Sequence, residues 1–122
     1  MSNDVESRLK QMRGMVEVVC SRLRSELEKL PLESDVIDPD AERAVYEISR
    51  DPANGDESLV GIWRDNRGQK QGEMLFHTDG SFFAEYDVIK NHPQKPQWFI
   101  EAVTAWGRGS NIKSELRLLP VE

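Results

Sequence analysis

The stretch GEMLFHTDGSFFAEYDV, residues 72–88, gathers much of what this chain could use for chemistry: one histidine, two aspartates, two glutamates and four aromatic rings. Carboxylates held among apolar groups have raised pKa values and can serve as general acids or bases. His77, Glu85, Asp87, Glu101 and Glu115 are the polar residues on strand-like segments where apolar ones would be expected. Asp79-Gly80 between two such segments is a strong hairpin signal. Read as a two-residue turn, it pairs Thr78 with Ser81 and Met74 with Glu85. One face then carries Met74, Phe76, Phe83, Glu85 and Asp87. The other carries Leu75, His77, Phe82, Ala84, Tyr86 and Val88. On that register His77 cannot share a site with Glu85 or Asp87 unless a bulge intervenes. His77 reads as a boundary residue beside a turn, and the two carboxylates as the solvated end of a strand face.

Other chemistries find little support. Two histidines (His77 and His92) and one cysteine make a poor ligand set, so neither a metal nor a cofactor is expected. No serine sits in a nucleophile elbow and no phosphate-binding loop is present. GRGSN, residues 107–111, joins two strands rather than opening a helix, so it reads as a hairpin turn and not as an anion nest. The formal net charge is −6. Residues 1–57 hold 8 basic and 14 acidic side chains, and residues 58–122 hold 8 of each. An acidic chain without a basic run lacks the cations that nucleic-acid binding requires. No apolar run approaches the roughly 20 residues of a membrane helix. The charged N-terminus lacks the apolar core of a signal peptide, and the lone Cys20 permits no internal disulfide, so a cytoplasmic location is expected.

The elements that must position these residues fall into two halves. Val5, Leu9, Met12, Val16, Val19 and Leu23, then Leu27 and Leu30, are spaced three and four apart, which predicts a helix over 4–30 ended by Pro31. The seam is open to two readings. It could cover the protein's own sheet, or two copies could pair along it about a twofold axis. Met15 and Val18 widen the stripe toward a broad surface. After the acidic linker PLESDVIDPD, Asp38-Pro39 predicts the start of a second helix over 39–50, with Ala41, Ala44, Val45 and Ile48 as its apolar stripe. DPANGDES reads as a loop. Strands are expected over 59–65, 71–78, 81–90, 97–106 and 111–119. On the fourth, Trp98, Ile100, Ala102, Thr104 and Trp106 share one face, with Phe99, Glu101, Val103 and Ala105 on the other. Apolar residues on both faces of the central strands require cover on both. Helices supply one cover; curvature, a second subunit or a ligand must supply the other.

Gly61-Ile62-Trp63 on the first of these strands and Asp79-Gly80-Ser81-Phe82 at the later turn resemble motifs of lipocalin-like β-barrels. That likeness implies a core-anchoring role for Trp63. The order of two helices and then antiparallel strands resembles NTF2-like cone folds, which implies a pocket between helices and a curved sheet. The chain as a whole is also similar to a small gammaproteobacterial protein family, which implies no activity.

The expected fold class is α+β, with two N-terminal helices packed on a curved antiparallel sheet of about five strands. It forms a single domain: a helical part over 1–50, a connecting loop over 51–58 and a β-meander over 59–119. The expected function is a non-catalytic interaction module that self-associates through Val5, Leu9, Met12, Val16, Val19 and Leu23, or that binds another protein. The alternative is a small-molecule or enzymatic pocket lined by Phe83, Glu85, Trp98, Glu101 and Trp106.

Overall fold

A computed structural model describes residues 3–30, 39–53 and 55–121. Its elements are one helix, α1 (Asn3–Glu28), and six strands: β1 (Val45–Arg50), β2 (Glu57–Arg64), β3 (Lys70–His77), β4 (Ser81–Asn91), β5 (Trp98–Arg108) and β6 (Asn111–Pro120). The strands form one antiparallel meander in chain order, with β1 and β6 as its edges.

The expected two helices and five strands are thus corrected to one helix and six strands, within the same α+β class. Asp38 and the linker over 31–38 lie outside the described residues. Immediately after Pro39 the chain makes a single turn, in which Asp40 accepts from the Arg43 amide through its carbonyl and from the Glu42 amide through Oδ1. The chain then extends. Val-Tyr-Glu-Ile-Ser-Arg alternates with period two and is rich in the β-branched and aromatic residues that suit a pleated strand. Paired with β2, it turns Tyr46 and Ile48 toward the core and leaves Val45 and Glu47 exposed. Sheet pairing outweighs the modest helix propensity of the two alanines.

The helix seam packs on the chain's own sheet. Val16, Val19, Leu23 and Leu27 are buried together with Trp63, Met74, Phe76 and Tyr86. Burying each such side chain contributes about 1.5–3 kcal/mol. Val5, Leu9 and Met12 are partly buried. The main contacts of α1 are with β1 and β2 at one end of the meander and β5 and β6 at the other, so the sheet curls around the helix. Arg22 fastens the last strand: its Nε–H donates to Ser114 Oγ at 2.8 Å. Trp63 is fully buried, meets Tyr86 edge-on at 5.4 Å and donates its indole N–H to the Asp40 carbonyl.

Two local features set which side chains face the helix. The β3–β4 turn has three residues, not two. The Gly80 amide donates to the His77 carbonyl, and Gly80 takes φ +90°, the left-handed step that closes a type I turn into a bulge. Phe76 therefore opposes Phe82, Leu75 opposes Phe83 and Glu73 opposes Glu85. A shift of one residue exchanges the faces of a strand. The expected mixed faces resolve accordingly: Met74, Phe76, Phe82, Ala84, Tyr86 and Val88 all lie in the core. The second feature is a bulge at Glu101, where Ile100 and Ala102 pair with the consecutive Leu118 and Arg117. It breaks the expected shared face of β5. Ile100, Val103 and Ala105 join the core, and Thr104 and Trp106 turn to the opposite side.

Candidate interaction surface

The face of the sheet turned away from α1 is built from three rows of residues, each running across all six strands. The central row is Glu47, Val60, Leu75, Phe83, Trp106 and Lys113. Its four middle members are apolar, one per strand, and each touches the next as a cross-strand neighbour. No described helix or strand lies over them. Val60 is buried between its neighbours, Leu75 and Trp106 are half-buried, and Phe83 is 38% exposed.

The row toward the β3–β4 turn is polar and carries no carboxylate: Ser49, Ser58, His77, Ser81, Arg108 and Asn111. Ser58 Oγ and His77 Nδ1 lie 2.7 Å apart. The row on the other side begins apolar, with Val45 and Ile62, and continues as Glu73, Glu85, Thr104 and Glu115. One step beyond it stand Asp87, Ala102 and Arg117.

The acidic corner of this face is electrostatically distinctive. Partial burial, together with the neighbouring Asp87 charge, raises the Glu85 pKa. Partial burial also raises that of Asp87, while its hydrogen bond with Glu85 and the nearby Lys70 oppose the rise. Arg117 spans the corner, 3.8 Å from Glu85 and 3.7 Å from Glu101, and Lys70 lies 2.9 Å from Glu73. The depression lined by Lys70, Gly72, Glu73, Glu85 and Asp87 holds about 170 Å³. That is well below the roughly 300 Å³ at which ordinary ligand pockets begin. Among the described residues, no three His, Cys, Asp or Glu side chains form a group that could hold a metal ion.

Of the five ligand-site candidates, Phe83, Glu85, Glu101 and Trp106 come together on this outer face. Trp98 does not: it shares the helix-side parity of Ile100 and pairs with Pro120 at the far end of β5. The centre of the space between helix and sheet, where a pocket was expected, is filled by the core rings. At its margin a hollow of about 340 Å³ opens between Met15, Val18 and Val19 of the helix and Phe82, Gly109 and Ser110, and it contains none of the five candidates. The seam residues Val16, Val19 and Leu23 are buried against the sheet. His77 was expected on the opposite face from Glu85 and Asp87; it stands on the same one, because the turn has three residues. Val60, Leu75 and Glu73 were missed altogether. The available signal was Thr78-Asp79-Gly80 read as a type I turn closed by a left-handed glycine, which would have sorted β3 and β4 into one apolar and one mixed face.

Cys20 is buried, donates to Met74 Sδ at 3.6 Å, and has its thiol pKa pushed up to about 12 by burial. His92 is buried in the β4–β5 loop, where its Nδ1 accepts from the Gln94 and Lys95 amides. Both are structural. No described helix is long and apolar enough to cross a membrane. Comparison with protein-family models, with curated proteins and with solved structures returns no match.

Proposed function

We propose that this chain is a non-catalytic interaction module, resident in the cytoplasm, that self-associates through the outer face of its sheet. The observation that carries this reading is the uncovered apolar row of Val60, Leu75, Phe83 and Trp106, continuous across four adjacent strands. A sheet normally buries one face and solvates the other. Here the helix side holds the whole core, yet the outer side still presents aromatic rings in register. Exposed aromatic residues grouped in this way are the kind that anchor protein interfaces.

The reading assigns self-association to the sheet rather than to the heptad-like seam of α1, whose central residues are already occupied within the chain. Sedimentation equilibrium tests it. The wild-type chain should sediment as a dimer. Phe83→Glu and Trp106→Glu should sediment as monomers with unchanged far-ultraviolet circular dichroism, because neither ring belongs to the core. Val18→Glu, on a helix position 53% exposed, should leave the dimer intact. A wild-type chain that stays monomeric at the highest attainable concentration overturns the proposal.

A further inference from the structure

Beyond self-association, we infer that the outer face of the sheet receives a basic, amphipathic segment of a different protein. The segment lays apolar side chains on Val60, Leu75, Phe83 and Trp106 and extends Lys or Arg side chains to the carboxylates on both sides of that row. The inference rests on the outer face being the chain's interface and names a further occupant for it. Among the described residues, carboxylates outnumber cations at both margins of the row. Toward the β3–β4 turn, Asp51, Asp56, Glu57 and Asp79 line a hollow of about 270 Å³ together with His77 and Ser81. Arg8 and Arg50 pair with Glu57 there, and Arg108 pairs with Asp79.

At the opposite margin, Glu73, Glu85, Asp87, Glu101 and Glu115 stand against Lys70, Lys90 and Arg117. Arg117 lies 3.8 Å from Glu85 and 3.7 Å from Glu101. Both distances exceed a hydrogen bond, so these carboxylates keep acceptor capacity for a further donor. Glu73 and Glu85 lie two residues along their strands from Leu75 and Phe83, about 7 Å. A Lys or Arg side chain spans that distance with its stem on the apolar row and its charge on the carboxylates. The same cation is attracted by the ring faces of Phe83, which is 38% exposed, and of the half-buried Trp106.

This distribution of charge selects among occupants. A second copy brings the same acidic margins, and the Ser81 hydroxyl is already committed to Asp79. Self-association therefore draws on the apolar row alone and is the weaker use of the face. Nucleic acid and anionic lipid are repelled by the same carboxylates, in a chain whose formal net charge is −6. A basic protein segment satisfies the row and both margins together.

A fluorescein-labelled peptide of leucine and lysine, with one apolar stripe flanked by lysines, tests this by fluorescence anisotropy. The wild-type chain should bind it about tenfold more tightly than the same peptide with glutamate in place of lysine, and the affinity should fall as salt is raised. Glu115→Lys and Phe83→Ser should each weaken binding about tenfold. Glu28→Lys, an equal change of charge on the exposed side of the helix, should alter it less than about twofold. Circular dichroism verifies that each variant is folded. In sedimentation, saturating peptide should convert any dimer into a complex of one chain with one peptide. Equal binding of the glutamate peptide, an equal loss in Glu28→Lys, or a dimer unchanged by saturating peptide overturns the inference. A chain that ignores the peptide and floats with phosphatidylcholine vesicles has a lipid surface as its occupant, and that overturns it too. If the wild-type chain is monomeric without peptide yet binds it as expected, self-association falls and the basic partner stands. If the chain is a dimer and the peptide fails, the reverse holds.

Discussion

Glu85 and Asp87 sit two residues apart on the same side of β4, where neither can be fully solvated. Their raised pKa values have a definite consequence for stability. A carboxyl group whose folded-state pKa lies above its unfolded value stabilises the fold while protonated, and that contribution is lost as the pH rises through the folded value. Wild-type stability should therefore fall as the pH rises from about 4 toward neutrality, through the titration of this pair. Glu85→Gln removes one of the two charges and leaves Asp87 beside a neutral amide. It should raise the midpoint of thermal unfolding at pH 7, with the gain disappearing below about pH 4. Arg117, 3.8 Å away, opposes this, but its own side chain is about half-exposed and the contact is long, so it offsets only part of the effect. Thermal melts of both chains from pH 3 to pH 8 read the effect directly. At the same scale, Ile89 is the one described non-glycine residue with positive φ, at +51°, and it stands in the bulge between Asp87 and Lys90 with its side chain 64% exposed. Val88 already follows the inward alternation of Phe82, Ala84 and Tyr86, and the bulge puts the strain just beyond it, at a residue with little packing to lose.

At the scale of elements, the β3–β4 hairpin decides the composition of both faces. Asp79 organises it, accepting from the Ser81 amide and hydroxyl and pairing with Arg108. These hydrogen bonds hold the Asp79 carboxyl below its ordinary pKa. Gly80 makes the three-residue turn possible because an L side chain is strained at φ +90°. An added Cβ would meet only Arg108 Cγ, at 3.8 Å, so Gly80→Ala carries a purely conformational penalty. That substitution should cost about 1–2 kcal/mol of stability in a urea titration, with an unchanged slope. A larger cost with a changed slope would mean that the register itself had shifted. The edge strands are managed differently. β1 is short, at 6 residues. β6 is long but alternates Lys113, Glu115 and Arg117 on its outer side, ends at Pro120, and has Arg22 reaching over it to the Ile112 carbonyl. Charges, a terminal proline and a covering side chain are the usual protections against strand addition. They favour the sheet face over the sheet edge as the surface for association.

At the scale of the whole molecule, one helix covers the concave side of a six-stranded sheet and no described element covers the other. If the second copy supplies that cover, folding and association are linked. The midpoint of thermal unfolding should then rise with protein concentration, because mass action favours the bound native state. In Phe83→Glu the midpoint should be independent of concentration. Differential scanning calorimetry at two concentrations a hundredfold apart separates the two behaviours.

The period of the α1 seam, the strand-like runs from 59 onward and the turn residues between them are local properties, and they were legible because local sterics and side-chain alternation set them. The strands expected over 59–119 stand within three residues of their observed ends. What the sequence left open was non-local. Ala41, Ala44, Val45 and Ile48 fit a helix stripe, and Val45-Tyr46-Glu47-Ile48 fits a strand equally well. Only the hydrogen-bonding edge of β2 decides between them. The face of Glu85 depends on one residue in a turn, and the separation of Trp98 from Trp106 depends on one bulge at Glu101. Both are set by where the large core rings find room against α1, because a register with Phe82, Ala84 and Tyr86 inward buries more apolar surface than its neighbour. Composition placed aromatic rings and carboxylates in the β half; tertiary packing chose which of them face outward together.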